Sequence, residues 1–111
     1  FGLDEHLLGA LAMGAKGAVG SGFNFAAPIY TRLLDAFARG DLSAAREEQF
    51  RGVRLIDLFA SHGYMAAAKA TMNMLGINVG PARLPNTNLS PGQLTDLRTQ
   101  LESIGFFDWI K

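Results

Sequence analysis

The chain has no cysteine among its 111 residues, which excludes disulfide bonds, thiol catalysis and thiolate metal sites. Its ten basic side chains balance ten acidic ones, so no excess positive charge favours a nucleic acid or an anionic membrane. No apolar run approaches the roughly 20 residues that span a bilayer, and the first residues lack a signal-peptide pattern. These absences predict a soluble globular protein, for which a reducing cytoplasm is the simplest compartment.

Nearly half of the residues are apolar, which is enough for one compact domain. Apolar periodicity and end signals predict five helices, the last announced by a capping box of Ser90, Pro91 and Gln93. They are expected at residues 4–13, 26–39, 43–60, 64–75 and 91–104. A loop containing two prolines is expected between residues 78 and 88.

A single strand is predicted at Ala18-Val19, because glycines bound this apolar run on both sides and it is too short for a helix. One strand cannot satisfy its own backbone donors and acceptors. Either two copies of the chain associate, or a further part of a longer chain supplies the neighbouring strands. The order helix, strand, helix is typical of one turn of a βα barrel and favours the second option.

Few residue patterns point to chemistry by themselves. The glycines of residues 17–22 match neither a dinucleotide-binding nor a phosphate-binding loop. His6 and His62 have no partner at metal-ligand spacing, so neither a metal nor a cofactor is predicted. Lys16 and Lys69 are poorly placed for imine formation, which needs an amine in a dry pocket. No residue of the chain is therefore assigned a catalytic role.

Two motifs carry a family resemblance: Gly2-Leu3-Asp4-Glu5, and residues 17–24, which read Gly-Ala-Val-Gly-Ser-Gly-Phe-Asn. They resemble the last two strand-end regions of the N-acetylneuraminate lyases. Further positions are similar to the helices that these enzymes and the related dihydrodipicolinate synthases carry after the barrel: Gly40-Asp41, Gln49, Lys69, Met72 and residues 80–85. One departure is Gly22, where many lyases have threonine.

The resemblance implies an α/β fold, the C-terminal portion of a (β/α)8 TIM barrel with extra C-terminal helices. Residues 1–39 would form the end of the barrel and residues 40–111 a helical extension, together one segment. It implies a tetramer for the complete enzyme. Without the earlier strands, apolar side chains including Leu7, Leu11, Leu33 and Phe37 would lose their partners, so the segment alone is expected to self-associate.

The resemblance also implies that Gly2, Asp4, Glu5 and Ser21 bind hydroxyls on the polyol tail of an open-chain sugar acid. Carboxylates and a serine suit this role, although Asp4 and Glu5 are also residue types that cap a helix. The family's Schiff-base lysine and catalytic tyrosine have no counterpart here. The complete protein would cleave a sialic acid to pyruvate and an acylmannosamine, and the segment alone is expected to be inactive.

Two alternatives stay open from the sequence. The chain could be a stand-alone helical interaction module whose terminal aromatic residues, Phe106, Phe107 and Trp109, engage a partner, although they could equally seal the core. Alternatively, the complete protein could be another pyruvate-dependent aldolase of the same superfamily, acting on a different 2-oxo acid.

Overall fold

The computed structural model describes residues 1–111 as six α-helices, preceded by one turn of 3₁₀ helix at Asp4–His6. The helices are α1 (Leu7–Ala12), α2 (Phe23–Ala38), α3 (Leu42–Ser61), α4 (Tyr64–Met74), α5 (Pro91–Ile104) and α6 (Phe106–Trp109). No helix combines the length and the apolar character that crossing a membrane requires.

Local capping signals set the starts of α3 and α5. The Asp41 carboxylate accepts a hydrogen bond from the Ala44 amide at 3.0 Å and begins α3. The capping box at the start of α5 is confirmed, because Ser90 Oγ accepts from the Gln93 amide and Gln93 Oε1 accepts from the Ser90 amide. Gly105 turns the chain from α5 into α6. Its φ of 88° is a backbone conformation that residues with a Cβ rarely adopt.

Helix α2 begins three residues earlier than predicted and is kinked. Its first turn is interrupted at Ala26, whose φ of −133° and ψ of 24° are not helical. Pro28 follows two residues later and has no backbone N–H. The kink therefore breaks one hydrogen bond fewer than it would with another residue at this position. The regular part of the helix then continues to Ala38 as expected.

The core lies between α2 and α3 and is closed by the remaining helices. Helix α4 lies close to its neighbours because its buried residues, Ala66–Ala68 and Thr71, have only small side chains. The fully buried large side chains contribute roughly 1.5–3 kcal/mol each. They are Leu7, Ile29, Leu33, Leu55, Phe59, Leu97, Leu101 and Phe106. Of the terminal aromatic residues, Phe106 therefore seals the core, while Phe107 and Trp109 are half-buried.

The sequence led us to expect that Leu7, Leu11, Leu33 and Phe37 lack packing partners in this segment. That expectation is wrong for two of the four. Leu7 and Leu33 are 1% and 0% exposed, because the other helices of this chain already cover them. Leu11 and Phe37 are half-buried. Apolar surface is left uncovered elsewhere, at Val19 and in the groove between α1 and α2.

The predicted strand at Ala18-Val19 is not formed as a strand. Residues 15–20, the second extended segment, lie beside the first extended segment, residues 1–3, and the backbone hydrogen bonds between the two segments all involve Phe1. The Phe1 amino group donates to the Gly17 carbonyl at 3.1 Å, and the Val19 amide donates to the Phe1 carbonyl at 2.8 Å. This is the pattern of one step in a parallel ladder. A regular strand requires neighbours that no other part of this chain supplies.

An ion-pair cluster centred on the buried Glu48 joins α2, α3 and α6. Glu48 on α3 accepts two hydrogen bonds from Arg32 on α2, at 2.9 and 3.0 Å, and one from Arg51 at 2.8 Å. Arg32 also donates to the Trp109 carbonyl at 2.7 Å. The Arg51 and Arg54 guanidinium groups lie 5.8 and 5.6 Å from the Trp109 ring centroid. The end of the chain is thereby attached to the central helix pair.

Candidate functional site

The candidate site lies where the two extended segments end. Asp4 directly follows the first segment, and Ser21 and Gly22 directly follow the second. The Gly22 amide donates to Asp4 Oδ2 at 2.7 Å, and the Asp4 residue is only 5% exposed. The carboxylate therefore does not cap its own helix but connects the ends of the two segments.

Gly20 and Gly22 are required by the position of that carboxylate. A Cβ on Gly20 would overlap Asp4 Oδ1, and a Cβ on Gly22 would overlap Asp4 Oδ2 and lie 2.9 Å from the Tyr30 hydroxyl. Neither glycine has a positive φ, so their role is to leave space rather than to allow a special backbone conformation. The glycine-rich run thus lets a carboxylate lie directly against the main chain.

Burial is the main cause of an altered proton affinity at Asp4. Loss of solvent raises the pKa of the Asp4 carboxyl above its ordinary value, and the nearby Glu5 carboxylate raises this pKa further. The hydrogen bond from the Gly22 amide acts in the opposite direction but does not cancel the effect of burial. The folded protein consequently binds a proton at Asp4 more tightly than the unfolded chain does.

That difference predicts a pH dependence of stability. Because the folded pKa lies above the ordinary value of 3.8, the Asp4 contribution is fully present below pH 3.8 and is lost as the pH rises through the folded pKa. We expect Asp4→Asn, which keeps an acceptor for the Gly22 amide, to remove this loss. Urea unfolding at a series of pH values gives the free energy of unfolding of both proteins. The same pH dependence in the two proteins would contradict the expectation.

Ser21 is held by a residue distant in sequence. Its hydroxyl lies 2.6 Å from the Tyr64 hydroxyl at the start of α4. The Tyr64 ring packs edge-on against Phe59, with centroids 5.8 Å apart. Burial raises the pKa of the Tyr64 phenol, the Asp4 and Glu5 carboxylates raise it further, and the hydrogen bond with Ser21 partly offsets these effects. The phenol is therefore uncharged at neutral pH.

A second phenol, that of Tyr30, is buried behind Asp4. Its hydroxyl has no hydrogen-bond partner, and its ring packs against Phe23 with centroids 4.6 Å apart. Burial raises the Tyr30 pKa well above its ordinary value, with a smaller contribution from the Asp4 carboxylate. Tyr30 thus presents a neutral, protonated hydroxyl to the space beside Gly22 and Gly52.

The Gln49 side chain on α3 supports the first helical turn by hydrogen-bonding to the backbone of that turn. Its Oε1 accepts from the Leu8 amide at 2.7 Å, and its Nε2 donates to the Asp4 carbonyl at 3.0 Å. One carboxamide thus satisfies a donor and an acceptor that lie four residues apart. The position of Asp4 is fixed relative to α3 as well as to Gly22.

The structure brings the four expected binding residues into one region. Asp4 and Ser21 are adjacent through Gly22, and the half-buried Glu5 acts electrostatically on Asp4. Gly2 lies beside the second segment, where an added Cβ would be 3.8 Å from the Val19 carbonyl oxygen. Sequence reasoning missed Tyr30 and Tyr64 as neighbours of the site and gave Gln49 no contact, since no local pattern signals such long-range contacts.

Neither lysine considered for imine formation reaches this region's hydrogen-bond network. Lys16 is exposed at the edge of an apolar groove of about 300 Å³ between α1 and α2. Lys69 on α4 makes a long contact, 3.4 Å, with the Val79 carbonyl.

His62 lies 3.1 Å from the Gln100 side chain, and the chain contains no group of three metal-ligating side chains.

Known proteins resemble this chain along nearly its whole length. N-acetylneuraminate lyase from Gallus gallus is 41% identical over 106 residues, which are 94% of this chain and 34% of that protein. The native structure of N-acetylneuraminate lyase from Aliivibrio salmonicida matches with a TM-score of 0.89 and 40% identity, covering 96% of this chain and 35% of that one. KD(P)GA from T. tenax matches with a TM-score of 0.83 and 26% identity, covering 92% and 36%.

The chain thus spans about a third of the length of the curated relatives it matches. Its helices and extended segments correspond to a part of a (β/α)8-barrel enzyme rather than to a whole barrel. The sequence profile of the Dihydrodipicolinate synthetase family matches residues 1–104. The chain belongs to the dihydrodipicolinate synthetase family.

Proposed function

We propose that this chain is the C-terminal part of a Schiff-base lyase that cleaves N-acetylneuraminate to pyruvate and N-acetylmannosamine. In this proposal residues 1–39 form the end of the barrel and residues 40–111 the helical extension. The complete protein would act as a cytoplasmic tetramer. The observation that carries the proposal is the joining of Asp4 to the Ser21-Gly22 turn, at the ends of two parallel extended segments. Barrel enzymes keep their sites at such strand ends.

The chemistry of this region suits the polyol tail of an open-chain sugar acid. Asp4 uses one oxygen for the Gly22 amide and retains further acceptor capacity, and Glu5 adds a second carboxylate. Ser21 is exposed and supplies a hydroxyl, while Gly2 allows a ligand to approach the backbone. Adjacent sugar hydroxyls both donate and accept, so a site with carboxylates and a hydroxyl matches them.

The imine chemistry belongs elsewhere in the complete protein. Its lysine would bind the 2-oxo group of the substrate, and a reverse aldol step would release the acylmannosamine. In this chain no lysine hydrogen-bonds to Asp4 or Ser21, and the network consists of carboxylates, hydroxyls and backbone amides. The segment contributes binding and shape, so by itself it would release no pyruvate.

Ser21→Ala tests this division of labour in the complete protein. We expect cleavage of N-acetylneuraminate, measured as kcat/KM, to fall several-fold to about tenfold, because one hydrogen bond is worth about 0.5–1.5 kcal/mol. Borohydride trapping of the pyruvate imine should be unchanged. Ser43→Ala, on the exposed first turn of α3, is the matched control and should alter neither measurement. An equal loss of trapping would refute the separation of roles.

A second candidate is a pyruvate-dependent aldolase of the same superfamily with another 2-oxo acid substrate. It is favoured by the structural match to KD(P)GA, a relative with a different name that nevertheless shares this fold. Assays of the complete protein on N-acetylneuraminate and on other 2-oxo acids distinguish the two. A clear preference for another 2-oxo acid would replace the first proposal.

A further inference from the structure

Tyr64 brings the helical extension into contact with the candidate site. It is the first residue of α4, and its phenol reaches Ser21, which is 43 residues earlier in the chain. Gly63, with a φ of 76°, sets the direction in which α4 leaves α3. The edge-on contact with Phe59 fixes the ring, so the phenol oxygen has a defined position 2.6 Å from Ser21 Oγ.

The chemistry of the two hydroxyls favours Tyr64 as the donor in this hydrogen bond. A phenol O–H is more acidic than an aliphatic one, and its oxygen is a weaker acceptor because its electrons are delocalised into the ring. The Tyr64 proton is retained at neutral pH, since burial raises the pKa of the phenol. When Tyr64 donates to Ser21 Oγ across this 2.6 Å distance, the proton of Ser21 is left to donate elsewhere.

We propose that Tyr64 is a positioning residue that makes Ser21 a hydrogen-bond donor toward a hydroxyl or carbonyl oxygen of the sugar acid. The inference rests on the proposed function, because it names how Ser21 would recognise the substrate. Beside the acceptors Asp4 and Glu5, a fixed donor gives the site a defined polarity across the substrate tail. A change at Tyr64 thus alters substrate binding through Ser21, without a contact of its own to the reacting atoms.

The test is a double-mutant cycle in the complete lyase, with Tyr64→Phe, Ser21→Ala and the double variant. Phenylalanine keeps the ring on Phe59 and removes only the hydroxyl. We expect each single variant to raise the KM for N-acetylneuraminate roughly three- to tenfold. The double variant should be no worse than either single one, because both remove the same interaction. Pyruvate trapping and kcat should stay within about twofold of the wild type.

Ser61→Ala is the matched control, since its hydroxyl bonds only to the Leu58 carbonyl at the α3–α4 junction. It should leave KM unchanged. Losses in KM that multiply in the double variant would overturn the inference, as would a Tyr64→Phe protein with wild-type KM. If the wild type cleaves only another 2-oxo acid, the named substrate is wrong, and the KM values of the double-mutant cycle are measured with that acid instead. A wild type that cleaves none refutes the proposed function, and this inference with it.

Discussion

Gly20→Ala is expected to lower the free energy of unfolding by about 2–4 kcal/mol and to reduce sugar-acid cleavage at least a hundredfold. The added methyl group would occupy the position of Asp4 Oδ1, and Asp4 cannot retreat while its other oxygen holds the Gly22 amide. Either the carboxylate leaves and a buried amide loses its partner, or the backbone moves. Both outcomes destroy the arrangement proposed to bind the sugar tail.

Urea unfolding and kcat/KM of the complete protein measure the two effects. Gly92→Ala is the matched control, because an added Cβ there meets nothing within 4 Å and the residue is exposed in the first turn of α5. It should be neutral or slightly stabilising, as alanine favours a helix. A Gly20→Ala protein with normal stability and activity would show that the carboxylate is not held against the main chain.

The second large effect is expected from the ion-pair cluster. Glu48→Ala should lower the free energy of unfolding by about 2–3 kcal/mol, because it leaves two arginines without their shared partner. This loss is smaller than for a fully buried pair, since the Arg32 and Arg51 side chains are 38% and 27% exposed. The loss of the Arg32 anchor should also loosen α6 through the Trp109 carbonyl.

The adjacent Glu47 provides the matched control for this prediction. Its side chain is 66% exposed and makes one bond to Arg51, at 2.7 Å. Glu47→Ala should cost less than about 0.5 kcal/mol, as exposed pairs do. Urea unfolding compares the variants, and Trp109 fluorescence reports separately on α6. Equal losses for the two glutamates would contradict a special role for the buried one.

Short-range signals in the sequence predicted most helix ends. The capping box at Ser90 depends on residues three positions apart, so a local pattern contains all the information. The strand at Ala18-Val19 was wrong for a physical reason: a strand depends on neighbours, and the chain supplies only Phe1. The predicted start of α2 was late because Pro28 suggested a first turn that Phe23 already begins.

The candidate site was predictable only in part. The residues Asp4 and Ser21 came from a family resemblance, and the structure explains their proximity by the Gly22 hydrogen bond. The contacts of Tyr64 with Ser21 and of Gln49 with Leu8 join positions more than 40 residues apart. No periodicity or cap encodes such pairs, because they follow from how α3 and α4 pack after the chain has folded.

The contacts of Gln49 suggest how this scaffold could acquire new specificities. The hydrogen bonds of its carboxamide go to main-chain atoms, so they do not depend on which side chains follow the first extended segment. Positions such as Glu5 can therefore mutate, and the ligand preference of the site can drift, while the support beneath them is unchanged. A glutamate at position 49 would lack the N–H that the Asp4 carbonyl accepts, and that support would be lost. Mutations can thus change the ligand of the site while the Gln49 hydrogen bonds that support it stay the same.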